Sequence, residues 1–151
     1  MRIAIFGAGA WGTALAVHAS GRHPVTLWAR DESLVASLRR DRRNERYLPG
    51  VDLPPQIEFA DDAAAACRWL DAAGSLAVVA TPVAGLRDTL RALDAALPGA
   101  SAGVVWLCKG IEAATGRLPH EVAADELRRH AAGVLSGPSF APEVAAGLPV
   151  A

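Results

Sequence analysis

The stretch that decides the fold is Ile3-Ala4-Ile5-Phe6-Gly7-Ala8-Gly9-Ala10-Trp11-Gly12, near the start of a chain of 151 residues. The four apolar residues 3–6 predict a buried strand, and the pattern of residues 10–19 predicts a helix. Between them lies the pattern G-x-G-x-x-G. A strand before this pattern and a helix after it form the context in which it binds a dinucleotide.

Each glycine of this loop has a separate physical reason. Gly7 permits a tight turn, Gly9 has no Cβ to keep a pyrophosphate away from the backbone, and Gly12 lets the helix pack close to the strand. The helix N-terminus then offers free N–H groups and a partial positive charge to phosphates. Trp11 lies inside the loop, so we expect it to contact the cofactor region. The alternative is a glycine turn without a ligand, and the strand and helix around the loop argue against it.

Short apolar runs and amphipathic stretches alternate along the whole chain, which predicts a parallel sheet built from βαβ units. The predicted strands are residues 3–6, 25–28, 56–59, 76–80, 104–107 and 133–135, and the predicted helices are residues 10–19, 32–40, 62–70, 83–97 and 119–129. Leucines at positions 86, 90, 93 and 97 mark the buried face of the fourth helix, and Pro98-Gly99 should end it. The predicted fold class is α/β, a doubly wound parallel sheet of the Rossmann type. Residues 41–55 are expected to be one long irregular loop of the kind that is often functional.

The residue that follows the second predicted strand bears on which dinucleotide is bound. An NAD-specific site usually has an acidic residue about 20 positions after the glycine loop, on the ribose. Here the matching position is Arg30, and a guanidinium can bind a 2′-phosphate with two hydrogen bonds. We therefore expect NADP(H), or both NADP(H) and NAD(H), with Asp31 keeping NAD(H) open. The alternative is that Arg30 is only a solvated residue at the start of a helix.

Two more motifs follow predicted strands, where doubly wound folds bind their ligands. Lys109-Gly110 contains the only lysine of the chain, and its ammonium suits a phosphate or a polarised oxygen. Ser136-Gly137-Pro138-Ser139-Phe140-Ala141 predicts a turn that presents a hydroxyl beside free backbone N–H groups. Thr81-Pro82 ends another strand at the same edge and should line the cofactor cleft. Each motif on its own has an alternative interpretation. Lys109 could be a surface lysine at the end of a strand, and the second motif could be an ordinary turn.

The composition excludes several classes of protein. A hydrophobic content of 52% is too high for a disordered chain, and 15 basic against 16 acidic residues give no simple argument for nucleic-acid binding. No apolar run reaches the roughly 18 residues of a membrane span. Cys67 and Cys108 are too few for a disulfide framework, so we expect reduced thiols in a cytoplasmic protein. The histidine spacing predicts no metal site.

At four places in chain order, the sequence resembles the N-terminal half of bacterial-type NAD(P)-dependent glycerol-3-phosphate dehydrogenases. The matching stretches are Gly7-Ala8-Gly9-Ala10-Trp11-Gly12-Thr13-Ala14-Leu15-Ala16, Asn44-Glu45-Arg46-Tyr47-Leu48-Pro49-Gly50, Lys109-Gly110-Ile111-Glu112 and Ser136-Gly137-Pro138-Ser139-Phe140-Ala141. The similarity continues through Glu143-Val144-Ala145-Ala146-Gly147-Leu148-Pro149, so it spans essentially the whole chain. The glycine loop alone is common, whereas the combination is specific.

The resemblance implies an activity and a set of contacts. The reaction is hydride transfer between dihydroxyacetone phosphate and sn-glycerol 3-phosphate, which supplies the backbone of glycerophospholipids, and the parent enzyme would be a homodimer. The implied cofactor contacts, besides the loop glycines Gly7, Gly9 and Gly12, are Ala10, Trp11, Arg30, Tyr47, Lys109 and Ala141. The implied substrate contacts are Lys109, Gly137 and Ser139.

In that family the general acid/base is a second lysine in a helical C-terminal domain, and no lysine follows Lys109. The resemblance therefore implies that residues 1–151 are the dinucleotide-binding domain, cut before the catalytic domain, and that this chain alone has no catalytic residue. One alternative is a module that binds a dinucleotide and performs no chemistry. Another is a related dehydrogenase of the 6-phosphogluconate or ketopantoate type. The Lys109-Gly110 motif and the motif from Ser136 to Ala141 argue against this alternative.

Overall fold

The structure is a computed structural model that describes residues 1–71, 73–97 and 102–148. The elements in chain order are β1 (Ile3–Phe6), α1 (Ala10–Ser20), β2 (Val25–Trp28), α2 (Glu32–Asp41), β3 (Arg43–Asn44), β4 (Leu48–Asp52), β5 (Ile57–Phe59), α3 (Ala63–Trp69), β6 (Ser75–Val79), α4 (Leu86–Ala96), β7 (Ala102–Trp106), α5 (Pro119–Glu126), β8 (Ala132–Val134) and α6 (Ala141–Ala145). A 3-10 turn, Val83–Gly85, leads into α4.

Six strands form one parallel sheet in the order β5-β2-β1-β6-β7-β8. The chain runs outward from β1 through β2 to β5, and then returns to place β6 on the other side of β1. Ile3 pairs with Val25 on one side and with Leu76 on the other. The strand order therefore reverses between β1 and β6, and in open α/β sheets the crevice at such a reversal is where ligands bind.

Alternate residues of β1 point to opposite faces of the sheet and are buried in two different hydrophobic clusters, as the two-residue period of a strand requires. Ala4 and Phe6 pack with residues of α3, α4 and α5, whereas Ile3 and Ile5 pack with residues of α1 and α2. Helices thus cover both faces of the sheet, which explains why its central strands are almost continuously apolar. The predicted α/β doubly wound fold is confirmed.

Most predicted elements are confirmed within a few residues at their ends. The leucine pattern is also confirmed, because Leu86, Leu90, Leu93 and Leu97 are all buried. The fifth predicted helix ends early, at Glu126, and the next turn is held instead by Asp94, which accepts a hydrogen bond from the Arg128 N–H at 3.3 Å. The expected stop at Pro98-Gly99 lies outside the described residues.

The prediction of an irregular loop over residues 41–55 is wrong. This segment contains the antiparallel hairpin β3–β4, in which Arg43 pairs with Asp52 across the strands at 2.6 Å. Leu48 is buried against Ala14 and Val144, so the hairpin packs on α1 and α6. The three prolines and the exposed arginines of this segment conceal the hairpin from a periodicity analysis, because only Asn44, Leu48 and Leu53 of residues 41–55 are buried.

Helix α6 was also absent from the predicted elements. It begins after Phe140, whose N–H donates to the Glu143 carboxylate at 3.0 Å. A five-residue helix is too short to show helical periodicity, and its apolar residues are explained only by the tertiary contact with α1 and the hairpin.

The glycine loop meets its neighbours at very short range. Gly7 has φ +119°, and a Cβ at this position would lie 2.7 Å from the carbonyl oxygen of Ala80. A Cβ on Gly12 would lie 1.9 Å from the carbonyl oxygen of Gly7. Gly9 differs, since nothing lies within 4 Å of its ideal Cβ position. Gly7 and Gly12 are thus required by packing, and Gly9 faces open space.

Gly12→Ala should therefore destabilise the protein and Gly9→Ala should not. Alanine in α1 gains about 1 kcal/mol of helix propensity over glycine, but at position 12 the methyl group meets backbone atoms, and overpacking of this kind costs roughly 1–3 kcal/mol or more. The urea concentration at the midpoint of unfolding, followed by circular dichroism, measures the stability of both variants. Equal midpoints for Gly12→Ala and Gly9→Ala would contradict this account of the loop.

Candidate cofactor-binding site

A cleft of about 1540 Å³ lies at the carboxyl ends of the strands. It exceeds the roughly 300–1,000 Å³ of an ordinary small-molecule pocket, so it can hold a long ligand. Its walls come from the ends of β1, β2, β6, β7 and β8, and it opens where the strand order reverses. Thr81 and Pro82 line it after β6, as predicted.

At one wall of this cleft, helix α1 presents an unsatisfied N-terminus. Gly9 is the N-cap and supplies no side-chain acceptor, and the first intrahelical bond runs from the Thr13 N–H to the Gly9 carbonyl at 3.0 Å. The N–H groups of Ala10 and Trp11, which both line the cleft, therefore have no acceptor among the described residues. Free amides, a helix dipole and the open space at Gly9 fit the pyrophosphate of a dinucleotide.

Beyond β2, two residues of opposite charge line the cleft. Arg30 is exposed and its guanidinium has no hydrogen-bond or ion-pair partner in the described part of the chain. Asp31 is engaged: Oδ1 accepts from the Ser33 N–H at 3.0 Å, the Ser33 hydroxyl at 2.6 Å and the Leu34 N–H at 3.2 Å. Hydrogen bonds from Ser33 and Leu34 lower the pKa of Asp31.

The hairpin supplies the other side of this end of the cleft. The Tyr47 side chain is partly exposed and lines the cleft. The Arg46 guanidinium lies over its ring, 5.0 Å from the centroid, and also contacts Asp31 Oδ2 at 3.3 Å. Both oxygens of the Asp31 carboxylate therefore have partners.

At the opposite end of the cleft, the structure brings the two later motifs together. Lys109 Nζ donates a hydrogen bond to the Gly137 carbonyl at 3.3 Å, and Ser139 lines the same wall. Gly110, next to the lysine, has φ +116°, a conformation that other residues rarely adopt. A lysine ammonium and a serine hydroxyl here could bind an anionic or carbonyl-bearing substrate.

The loop that carries Lys109 is anchored by Glu112. Both carboxylate oxygens of Glu112 accept from the Arg87 guanidinium at 2.8 Å, and one also accepts from the Thr115 hydroxyl. These hydrogen bonds, led by those from Arg87, lower the pKa of Glu112 to about 2. The loop therefore depends on an ion pair that fixes it to α4.

Most of the residues predicted for the site lie in the cleft wall. They are Gly7, Gly9, Ala10, Trp11, Arg30, Tyr47, Lys109, Gly137 and Ser139. Gly12 lies behind the loop in the contact between α1 and β1. Ala141 is buried at the start of α6 and is not among the residues that line the cleft.

Sequence reasoning missed three features of the site. His18 lines the cleft on the same face of α1 as Trp11, two turns further on, and this seven-residue spacing is a signal that the sequence contains. The contact between Arg87 and Glu112 joins residues 25 positions apart and had no local signal. Asn44 is buried between the hairpin and the glycine loop. Apart from its place in the matched motif, the sequence contains no local signal for this burial.

The remaining predicted chemistry concerns thiols and metals. Cys67 and Cys108 are both free thiols, and burial raises the pKa of Cys67 to about 11. Neither thiol is therefore activated as a nucleophile. Within residues 1–71, 73–97 and 102–148, no three His, Cys, Asp or Glu side chains gather to hold a metal ion. No helix among those residues has the length and apolarity to cross a membrane.

The sheet, the glycine loop and the cleft define a dinucleotide-binding domain of the doubly wound class. Comparison with known families specifies which one. The sequence profile described as NAD-dependent glycerol-3-phosphate dehydrogenase N-terminus matches residues 2–151. The chain belongs to this family, whose members use nicotinamide dinucleotides, and the resemblance stated from the four motifs is confirmed.

Individual relatives agree with the family. The chain is 52% identical to the glycerol-3-phosphate dehydrogenase [NAD(P)+] of Aromatoleum aromaticum, covering 100% of this chain and 44% of the relative. It is also 52% identical to the protein of that name from Burkholderia lata, covering 46% of it. The crystal structure of glycerol-3-phosphate dehydrogenase from Coxiella burnetii superposes with a TM-score of 0.86 at 34% identity, over 99% of this chain and 44% of that one. The chain thus spans less than half the length of these relatives.

The anchor at Glu112 makes a prediction about pH. Its pKa is near 2 in the folded protein and 4.5 ordinarily, so the ionised carboxylate stabilises the fold above pH 4.5 and this contribution is lost as the pH falls from 4.5 toward 2. Glu112→Gln should lower the urea midpoint at neutral pH, and the gap to the wild type should shrink as the solution is acidified through that window.

The matched control is Glu58→Gln, since Glu58 is exposed on β5 and its carboxylate has no partner in the described residues. It should leave the midpoint unchanged at every pH. A Glu112→Gln gap that is equal at pH 7 and in acid would contradict the role assigned to the ion pair.

Proposed function

We propose that residues 1–151 are the dinucleotide-binding domain of an NAD(P)-dependent glycerol-3-phosphate dehydrogenase. The observation that carries this proposal is the meeting of three motifs in one cleft: the glycine loop, Lys109 and the segment that contains Gly137 and Ser139. The relatives that bear this enzyme name match the chain from end to end at about half identity. A dehydrogenase of the 6-phosphogluconate or ketopantoate type is disfavoured by that match.

In this proposal the substrate is dihydroxyacetone phosphate or, in reverse, sn-glycerol 3-phosphate. A nicotinamide dinucleotide held in this cleft would supply the hydride, or accept it in the reverse direction. Reduction of a ketone develops negative charge on its oxygen, and the Lys109 ammonium stabilises such charge when it is held in place beforehand. The Gly137 carbonyl orients Nζ at 3.3 Å, and the Glu112 anchor fixes the loop behind it. In the same proposal the Ser139 hydroxyl, which lines this wall of the cleft, hydrogen-bonds the substrate.

The proton donor for that oxygen is the part of the mechanism that these residues do not provide. In the described part of the chain, Lys109 forms no ion pair with an Asp or Glu, and its ammonium donates instead to the Gly137 carbonyl. We propose that the acid/base belongs to a part of the enzyme outside residues 1–151, and that this chain alone binds cofactor without turnover. Measurable dihydroxyacetone phosphate reduction by the 151-residue chain would contradict that division of roles.

The substrate assignment is tested by measuring turnover. The protein to assay is one as long as the relatives that contains this chain as its N-terminal part. We expect oxidation of NADPH or NADH with dihydroxyacetone phosphate, and Lys109→Met should lower kcat by roughly 10²–10³-fold because it removes a preorganised charge. Arg128→Met is the control, since this exposed side chain has no partner in the described residues. No turnover by the wild type would overturn the substrate, and an active Lys109→Met would overturn the role of the lysine.

We propose further that the site favours NADP(H) over NAD(H). A 2′-phosphate needs a free cation, and the Arg30 guanidinium provides one at the cleft wall. A ribose 2′-hydroxyl needs a free carboxylate, but the Asp31 carboxylate caps α2 through Oδ1 and contacts Arg46 through Oδ2. The charge balance next to β2 therefore supports recognition of the phosphorylated ribose.

Arg30→Asp should weaken NADPH binding and change NADH binding little. Loss of a hydrogen bond to a charged group costs about 1.5–3 kcal/mol, which corresponds to a rise of roughly 10- to 150-fold in Kd. Titration calorimetry with each cofactor measures the difference. Arg22→Asp makes the same charge change at an exposed arginine outside the cleft and should affect neither Kd. Equal losses for both cofactors with Arg30→Asp would refute this role.

A further inference from the structure

Asn44 is an almost fully buried polar residue at the base of the hairpin, with 1% of its surface exposed. Its Nδ2 donates to the Ala8 carbonyl at 2.9 Å and to the Thr13 hydroxyl at 2.7 Å. Its Oδ1 accepts from the Tyr47 N–H at 3.3 Å. Both amide protons and the carbonyl are therefore used, as burial of a polar side chain requires.

The contact with Ala8 acts on the orientation of the glycine loop. Ala8 lies between Gly7 and Gly9, and its carbonyl belongs to the same planar, trans peptide as the Gly9 N–H. Holding the carbonyl on the Asn44 side points that N–H away from Asn44. This peptide turns about ψ of Ala8 and φ of Gly9, and a glycine on one side opposes such a rotation less than another residue would. Asn44 thus fixes a peptide whose N–H is part of the free-amide surface at the start of α1.

The remaining contacts join the glycine loop to the far side of the cleft. Thr13 is fully buried in the first turn of α1, and Tyr47 lines the cleft from the hairpin. One amide side chain therefore connects the phosphate-binding end of α1 with the segment that carries Tyr47. Leu48 adds an apolar contact from the same hairpin to α1. The hydrogen bond to the loop peptide comes from Asn44.

We infer that Asn44 is a positioning residue of the dinucleotide site: it sets the Ala8–Gly9 peptide toward the pyrophosphate and holds the Tyr47 hairpin over the cofactor. The inference rests on the proposed dinucleotide binding. The pyrophosphate is common to NADH and NADPH, so loss of this residue weakens both to the same extent. That distinguishes Asn44 from Arg30, which acts on NADPH alone.

The test uses Asn44→Ala, a change that leaves the net charge of the chain unaltered, so an effect on Kd does not come from a change in net charge. Titration calorimetry at neutral pH gives the Kd of NADPH and of NADH, and urea unfolding gives the stability. We expect both Kd values to rise together, by about tenfold. In the enzyme of full length, KM for either cofactor should rise while kcat at saturating cofactor stays unchanged.

Two further variants separate positioning from folding. Thr13→Val keeps the shape of the side chain and removes one partner of Nδ2, so it should raise both Kd values by a smaller factor even if Asn44→Ala fails to fold. Asp52→Ala breaks the ion pair of the same hairpin with Arg43 and leaves the Asn44 contacts in place, so neither Kd should change.

The outcomes discriminate among the possibilities. Unchanged Kd values in Asn44→Ala and Thr13→Val, with only a lower urea midpoint, would reduce Asn44 to a structural residue and overturn the inference. A loss confined to NADPH would also overturn it. A wild-type chain that binds neither cofactor would overturn the proposed function itself, and the inference with it.

Discussion

The contact on which the rest of the structure depends is the approach of α1 to the backbone of the first strand. At Gly12 there is no room for a methyl group, because the Gly7 carbonyl oxygen would be 1.9 Å away. Gly7 in turn has no room beside Ala80, at the end of the neighbouring strand β6. The helix therefore begins directly at the crevice between β1 and β6. Its free amides are presented there only because this contact is made by glycines.

Three of the later features of the site depend on that position. The crevice exists because the strand order reverses between β1 and β6, and α1 lines it. The hairpin reaches α1 through Asn44 and Leu48, which brings Tyr47 to the mouth of the cleft. On the other side, α6 packs on α1 and the hairpin, and the segment before it delivers Gly137 to Lys109. Contacts from three distant parts of the sequence thus converge on one helix.

The sequence predicts the sheet and its loop well because both have strong local signals. Short apolar runs, a leucine stripe and a glycine pattern between a strand and a helix are all readable from neighbouring residues. Lys109 and Ser139 were also placed correctly at one edge, since the carboxyl ends of parallel strands meet there. The hairpin and α6 could not be read in this way. Their stability comes from contacts across the fold, and Asn44 looks like any polar loop residue until Ala8 and Thr13 are seen beside it.

The same limit applies to the electrostatics of the site. Arg30 is visible in the sequence, but the state of Asp31 is not. Whether that acid is free for a ribose depends on its capping hydrogen bonds and on Arg46, fifteen residues away. Likewise, the anchor beneath Lys109 pairs Glu112 with Arg87 from another helix. Charge type is therefore predictable from one residue, whereas the availability of a charge is a property of its partners.

The most direct test of the central claim is a crystal structure of the chain grown with NADPH. The account predicts pyrophosphate oxygens within hydrogen-bond distance of the N–H groups at the start of α1, among them those of Ala10 and Trp11. It also predicts the 2′-phosphate beside Arg30. A dinucleotide bound elsewhere, or bound in this cleft with its pyrophosphate away from α1, would contradict it.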